Sequence, residues 1–297
     1  MHIGTMMASK LTIEAIEILD TISRKGSFAA AADALYKVPS ALTYQMGKLE
    51  KDLDVALFNR DGYRTTLTDA GEALLTEGRQ ILDMAQAVES HVKKVATGIE
   101  TNIVIAVNDL LVIESIYPTL ETFYQQGFGT RLKIIKEVFG GTWDAISTAR
   151  ADIAIGAPGE PPVGGGYLTN TIGEMEMVFA VSNNHPLAQI AEPLSYKDIM
   201  QYRAIVASDS SRDLPPRSAG ILTGQDILNV PDMQTKISAQ IAGLGIGNLP
   251  KHIAQKYMEK GQLIVKETTA ARTVVPMHIA WSTTSQKNMG QAQNWLL

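Results

Sequence analysis

Pro39, Ser40, Thr43, Tyr44 and Lys48 crowd one side of a short helical repeat. They bring two hydroxyls, a phenol and an ammonium close to a helix start, groups that hydrogen-bond to base edges and phosphates in a major groove. Leu42, Met46, Leu49 and Leu53 recur at i, i+4, i+7 and i+11 and bury the opposite side. Upstream, Ser27-Phe28 followed by Ala29 to Leu35 forms another helix, in which Ala30, Ala31 and Ala34 are small enough for a close crossing. Two short helices on a tight connection have the form of a helix-turn-helix. The chemistry expected of these residues is binding to double-stranded DNA, with Ser27 and Lys48 on phosphates and Pro39, Ser40, Thr43 and Tyr44 on bases.

Beyond these helices, Leu57 to Thr68 carries Asp61-Gly62, a hairpin-turn dipeptide, between β-prone segments. The hairpin reads as a wing, with Arg60 and Arg64 as phosphate or minor-groove contacts; an ordinary surface hairpin is the alternative. Thr68 then caps a long helix. Leu67, Leu74, Ile81, Val88 and Val95 repeat every seven residues, and Gly71, Gly78, Ala85 and Val92 follow four residues after each. A large row beside a small row predicts close antiparallel packing of two copies, with Leu74, Ile81, Val88 and Val95 at the dimer seam.

A chain of 297 residues with 45% hydrophobic content has material for two or three domains. No apolar run approaches the ~18 residues of a membrane span. The first residues lack the basic and apolar regions of a signal peptide, so a cytoplasmic protein with no membrane partner is expected. Zero cysteines exclude disulfides and thiolate metal sites, and five scattered histidines offer no ligand spacing, so neither a metal nor a cofactor is expected. The net charge is -5, and residues 1 to 98 hold 11 Lys plus Arg against 13 Asp plus Glu, a balance of -2. Weak non-specific DNA binding that relies on dimerisation follows.

Residues 11 to 95 resemble the winged helix-turn-helix and linker helix of the LysR-type transcriptional regulators. The resemblance is carried by Gly26-Ser27-Phe28 with Ala30-Ala31-Ala32 and Leu35, Ser40-Ala41-Leu42-Thr43 with Gln45 and Leu49-Glu50, Leu57-Phe58 with Arg60, and Leu67-Thr68-Asp69-Ala70-Gly71. Two positions depart from the family pattern, which usually has a polar residue, often Gln, at Pro39 and often Arg at Tyr44; both lie on the DNA face. The family implies a homodimer or homotetramer on promoter DNA, contact with RNA polymerase, and a small-molecule effector. It also implies a fold: an N-terminal winged helix-turn-helix (10–67), a linker helix (68–97), and a two-subdomain α/β effector domain like a periplasmic binding protein (98–297). Subdomain one would be 102–165 with 267–297, and subdomain two 166–266.

The residues themselves support an α/β reading of the second part. Strands are predicted at Asn102 to Val107, Arg131 to Val138, Asp152 to Ala157, Glu176 to Val181 and Arg203 to Ala207. Helices are predicted at Leu111 to Gln125, Thr142 to Arg150, Thr235 to Ala242 and Lys251 to Lys260. Such alternation predicts a mostly parallel sheet, and Ala96 to Glu100 reads as a hinge ahead of it. Ligands of open α/β sheets lie beyond the carboxyl ends of strands. Asn108, Asp109, Thr142 and Ser208 are therefore the candidate effector contacts, with helix capping or a surface turn as the alternative for each. The carboxylate of Asp109 would repel a simple anion, and Phe139 and Trp143 could wall an aromatic or uncharged metabolite.

Other classes fit less well. Gly243-Leu244-Gly245-Ile246-Gly247 lacks the Lys-Ser/Thr of a P-loop and reads as a helix-terminating turn. No Gly-x-Ser-x-Gly elbow or His-Glu-x-x-His occurs, so an enzyme is not expected. A constitutive DNA binder without an effector remains the alternative; it would not require some 200 residues of α/β domain.

Overall fold

The computed structural model describes residues 9–59, 65–217, 220–270, 273–286 and 288–297. The chain divides into two units between Val92 and Lys93.

In the first unit, α1 (Ile13–Lys25) starts where Thr12 Oγ1 accepts the Ala15 N–H and ends at Gly26, whose φ of 74° needs no Cβ. Next come α2 (Phe28–Ala34), capped by Ser27, and α3 (Pro39–Leu53), which has proline in its first turn. Ile18, Leu19 and Ile22 of α1, Ala31 and Ala32 of α2, and Leu42, Met46 and Leu49 of α3 share one core. Of the alanines expected at the crossing, Ala31 is buried there beside Ala32, while Ala30 and Ala34 are exposed. Phe58 pairs with Leu67 as an antiparallel bridge, and the Asn59 N–H donates to Thr66 O. These are the two feet of the expected wing. Residues 60–64, with Arg60 and Arg64, lie outside the described residues.

The long helix α4 (Asp69–Thr97) departs from a seam of uniform character. Gly71 and Gly78 are buried against their own unit: a Cβ at Gly71 would stand 2.2 Å from Leu57 O, and one at Gly78 2.6 Å from Ile16 Cγ2. Leu74 is half-buried against the same core. Ile81, Val88 and Val95, by contrast, are 41%, 59% and 72% exposed. The heptad repeat thus holds two environments, intramolecular for its first two turns of repeat and open for the rest.

The second unit begins with β1 (Asn102–Asn108), a 3-10 turn at Ile113–Ile116, α5 (Tyr117–Gln125), β2 (Arg131–Glu137), α6 (Gly141–Ser147) and β3 (Ile153–Pro158). It continues through β4 (Tyr167–Ser182), α7 (Tyr196–Met200), β5 (Ala204–Ala207), β6 (Ile227–Val230), α8 (Met233–Ile241), β7 (Gly247–Pro250) and α9 (Lys251–Glu259). It closes with β8 (Leu263–Lys266), β9 (Thr273–Ser282), α10 (Thr283–Gln286) and α11 (Gln291–Leu296). Among the described strands β1 pairs in parallel with β2 and with β3, and β5 with β6; β9 pairs antiparallel with β3 and β4, and β4 with β7 and β8. The mostly parallel sheet predicted from alternation is therefore a mixed one. The cause is β4, a strand of 16 residues where six were expected. Its first half lies along β9 beside β3, and its second half along β7 and β8, so β4 and β9 tie one lobe to the other. Helical spacing also overran the structure at Ile113–Ile116, where Pro118 cuts the α-helix to Tyr117–Gln125.

Gly98, read as a hinge, takes φ 71° directly after α4. Its carbonyl accepts the Gln291 N–H, and buried Glu100 accepts the amides of Gly290 and Gln293 and pairs with Lys94 at 3.1 Å. The linker's last residues are thereby fastened to α11.

Candidate functional site

The residues expected to face DNA from α3 share one exposed side of that helix. Pro39, Ser40, Thr43, Tyr44 and Lys48 are all exposed on α3, above the buried stripe of Leu42, Met46 and Leu49. Tyr44 is 72% exposed, and Thr43 Oγ1 donates to Pro39 O, leaving its lone pairs and methyl outward. Ser27 Oγ accepts the Ala30 N–H at 3.1 Å, so its hydroxyl caps α2 while its own proton stays available. Of the basic residues nearby, Lys37 is taken by Glu14 and Arg24 by Asp20. Lys48 has no ion pair among the described residues. Tyr36, 98% exposed at φ 54° in the turn before α3, went unmarked in the sequence; an aromatic in so short a connection between helices was the available signal.

The effector candidates separate. Asn108 and Thr142 are fully buried and spend their polar atoms on each other: Asn108 Nδ2 donates to Thr142 Oγ1 at 2.9 Å and to Phe139 O at 3.0 Å, and Thr142 Oγ1 donates to Phe139 O. Asn108 Oδ1 accepts the Leu110 N–H. Phe139 stands at φ 46°, an uncommon region for a side chain of its size, and these bonds hold it there. Ser208 is exposed, its N–H bonded to Val230 O. Asp109 reaches across the lobes, where its Oδ2 accepts the Met233 N–H of α8 at 2.7 Å. Its Oδ1 is buried without a hydrogen-bond partner among the described residues. Burial pushes this carboxyl up to about 6, against the pull of the Met233 amide and Lys136.

The loop that follows Ser208 clasps the lobes together. Asp209 Oδ2 accepts the amides of Gly140 and Arg217, and Ser210 Oγ accepts the Val138 N–H and donates to Glu137. The amides of Asp213 and Leu214 donate to buried Asp144, which Arg150 also binds at 2.9 Å. Burial opposes ionisation of Asp144, but those donors win and hold it at about 2. Gly140 and Gly141 make the approach possible, since a Cβ on Gly141 would stand 1.9 Å from Ser210 Oγ.

Two cavities flank Met233. One of about 310 Å³ is lined by Asp109, Lys136, Lys256 and Tyr257 among others. The other, of about 220 Å³, lies where both lobes meet the crossing strands, with Leu110 and Phe139 from one lobe, Lys236 and Asn248 from the other, and Met177 and Val275 from β4 and β9. Asn108, Asp109, Thr142 and Ser208 do not line this second cavity. Lys236 was legible as a lysine on the apolar face of α8, one turn from Met233 and beside Ile237, but a charge within a short helix reads by default as a solvated one.

Among the described residues no cluster suits a metal ion, and no helix is long and apolar enough to cross a membrane. Residues 13–72 match the family described as bacterial regulatory helix-turn-helix protein, lysR family, and residues 96–295 match the LysR substrate binding domain. The chain is 40% identical over 286 residues to an uncharacterized HTH-type transcriptional regulator, YeeY, of Escherichia coli K12, covering 96% of this chain and 92% of that one. It is 35% identical to the probable HTH-type transcriptional regulator YhaJ of the same organism, over 97% and 95% of the two chains. Among solved structures, full-length CbnR in complex with its target DNA superposes with a TM-score of 0.61 at 16% identity, covering 97% of this chain and all of that one. AphB of Vibrio cholerae gives 0.57 at 15%, covering 96% and 97%. With both halves matched and full-length relatives above 30% identity, the chain belongs to the LysR family of DNA-binding transcriptional regulators, which are not enzymes.

Proposed function

We propose that this regulator reads promoter DNA with α3 and is switched by a small molecule held between the two lobes of its second unit. The observation that carries the first half is the division of α3 into a buried apolar stripe and an exposed face of Pro39, Ser40, Thr43, Tyr44 and Lys48. Pro39, Ser40, Thr43 and Tyr44 contact bases, while Ser27, Lys48, Arg60 and Arg64 hold phosphates. Two copies join through the open half of α4, and pairs of dimers and RNA polymerase meet at the promoter. The cavity of about 220 Å³ supports the second half, because its walls come from both lobes and a ligand there has different contacts in open and closed forms. Asn108 and Thr142 act by fixing the loop ends around it, and Asp109 by joining α8 to β1.

Selection of double-stranded fragments from a random library tests the DNA reading. The full chain should enrich a two-half-site sequence, and Tyr44→Ala should lose roughly 1–3 kcal/mol of discrimination at one position of each half-site. Enrichment of the same sequence with the same discrimination by Tyr44→Ala would remove Tyr44 from readout. A metabolite extract that stabilises the full chain against heat supports the effector; no stabilisation by any fraction counts against it.

A further inference from the structure

We propose that the cavity between the lobes takes a small organic monoanion, a carboxylate with an apolar body, whose head group meets Lys236 and Arg217. This rests on the effector reading and names the chemistry of its ligand. Lys236 is 5% exposed, and its ammonium has neither an ion pair nor a hydrogen bond among the described residues. It lines the cavity and stands over Gly247, where an added Cβ would lie 3.4 Å from Nζ. Buried charges without partners are costly and are normally matched by a counter-ion.

Arg217 supplies the second cation. Its Nη1 and Nη2 donate to Pro158 O and Glu160 O, each at 3.0 Å, which fixes the guanidinium without neutralising it. The Asp209 carboxylate, which accepts the Arg217 backbone N–H, is spent on that amide and those of Gly140 and Ser211. No acidic residue lines this cavity among the described residues. Asp109 lines the neighbouring one, from which its charge acts on Lys236 through space without an ion pair or hydrogen bond to it among the described residues. The remaining wall is apolar, with Leu110, Phe139, Met177, Met233 and Val275, and Asn248 and Thr273 add polar atoms. Burial brings the Lys236 ammonium down to about 8 against the pull of the Asp109 carboxylate, a displacement that an anion directly beside it would reverse. A volume of about 220 Å³ lies below the usual ~300–1,000 Å³ of ligand pockets and favours a compact molecule.

The test compares acids with their amides on the full chain. Benzoate and hexanoate at millimolar concentration should raise the melting midpoint, benzamide and hexanamide should not, and titration calorimetry should show at least tenfold tighter binding of each acid. Lys236→Met keeps most of the side chain's length without its charge and should weaken benzoate at least tenfold, and Arg217→Gln should weaken it less. Equal binding of acid and amide would overturn the anion and leave the effector reading standing. Undiminished benzoate binding by a folded Lys236→Met would place the anion elsewhere and overturn the proposal, as would absence of binding by both acids. If Lys236→Met does not fold, undiminished binding by Arg217→Gln overturns the two-cation site. Stabilisation by no fraction of a metabolite extract would sink the effector reading itself, a separate outcome.

Discussion

At the scale of single residues, the interior of the second unit is held by polar atoms that sequence inspection assigns to a ligand. Thr142 and Asn108 satisfy each other and the Phe139 carbonyl in full burial. Thr142→Val deletes the hydroxyl with little change of shape and leaves Asn108 Nδ2 with one acceptor, so stability should fall by about 1–2 kcal/mol. Denaturant unfolding would check this; an unchanged midpoint would mean that the hydroxyl is expendable. Asp109 yields a pH dependence of defined sign. Its folded carboxyl titrates at about 6, above its ordinary value, so the folded state keeps a proton that the unfolded chain has already released. The resulting penalty is full above pH 6 and relieved as pH falls toward 4. Asp109→Asn should therefore be more stable than the parent at pH 7.5 by about 1–2 kcal/mol, and the gap should narrow on acidification to pH 5. Asp144 and Asp232, both held at about 2, lose their contributions only at lower pH and do not enter this window. A gap that is constant with pH would show that the shift is absent.

At the scale of elements, α4 is the informative case. Its heptads are read from spacing alone, yet Gly71, Gly78 and Leu74 face the unit that carries them, while Ile81, Val88 and Val95 face outward. A periodic pattern reports which residues share a stripe, not which surface the stripe meets. The division sharpens the dimer test. Ile81→Asp with Val88→Asp alters residues that are exposed in the single chain, so the fold should persist while sedimentation shows a monomer. A dimer of unchanged mass would place the interface elsewhere. The sheet makes a parallel point. Alternating strands and helices are legible, but whether neighbours run parallel depends on where β4 and β9 cross between lobes, and these long antiparallel strands have no local signature of that role.

At the scale of the molecule, a net charge of -5 bears on how the regulator finds DNA. With few cations on each DNA-binding unit, and Lys37 and Arg24 engaged by acids of their own unit, each copy neutralises few phosphates. Specific affinity then depends on two copies acting together. The Ile81→Asp, Val88→Asp variant should lose more than tenfold in affinity for a selected two-half-site fragment, and its slope of log affinity against log salt should drop by about half. An unchanged slope would show that both half-sites are still engaged.

What the sequence determined by itself is the local grammar: the helix that starts at Ser27, the two faces of α3, and the alternation that makes the second unit α/β. These depend on propensity and spacing within a few residues, and the chain displays both directly. Tertiary structure alone decided that Asn108 and Thr142 meet, that Asp209 and Ser210 clasp the far lobe, and that Lys236 turns its charge into a cavity. Those outcomes join residues about 30 to 70 positions apart, or depend on which neighbours remove a lysine from water. Separation in sequence carries no record of either, because burial and partnership are properties of the packed chain.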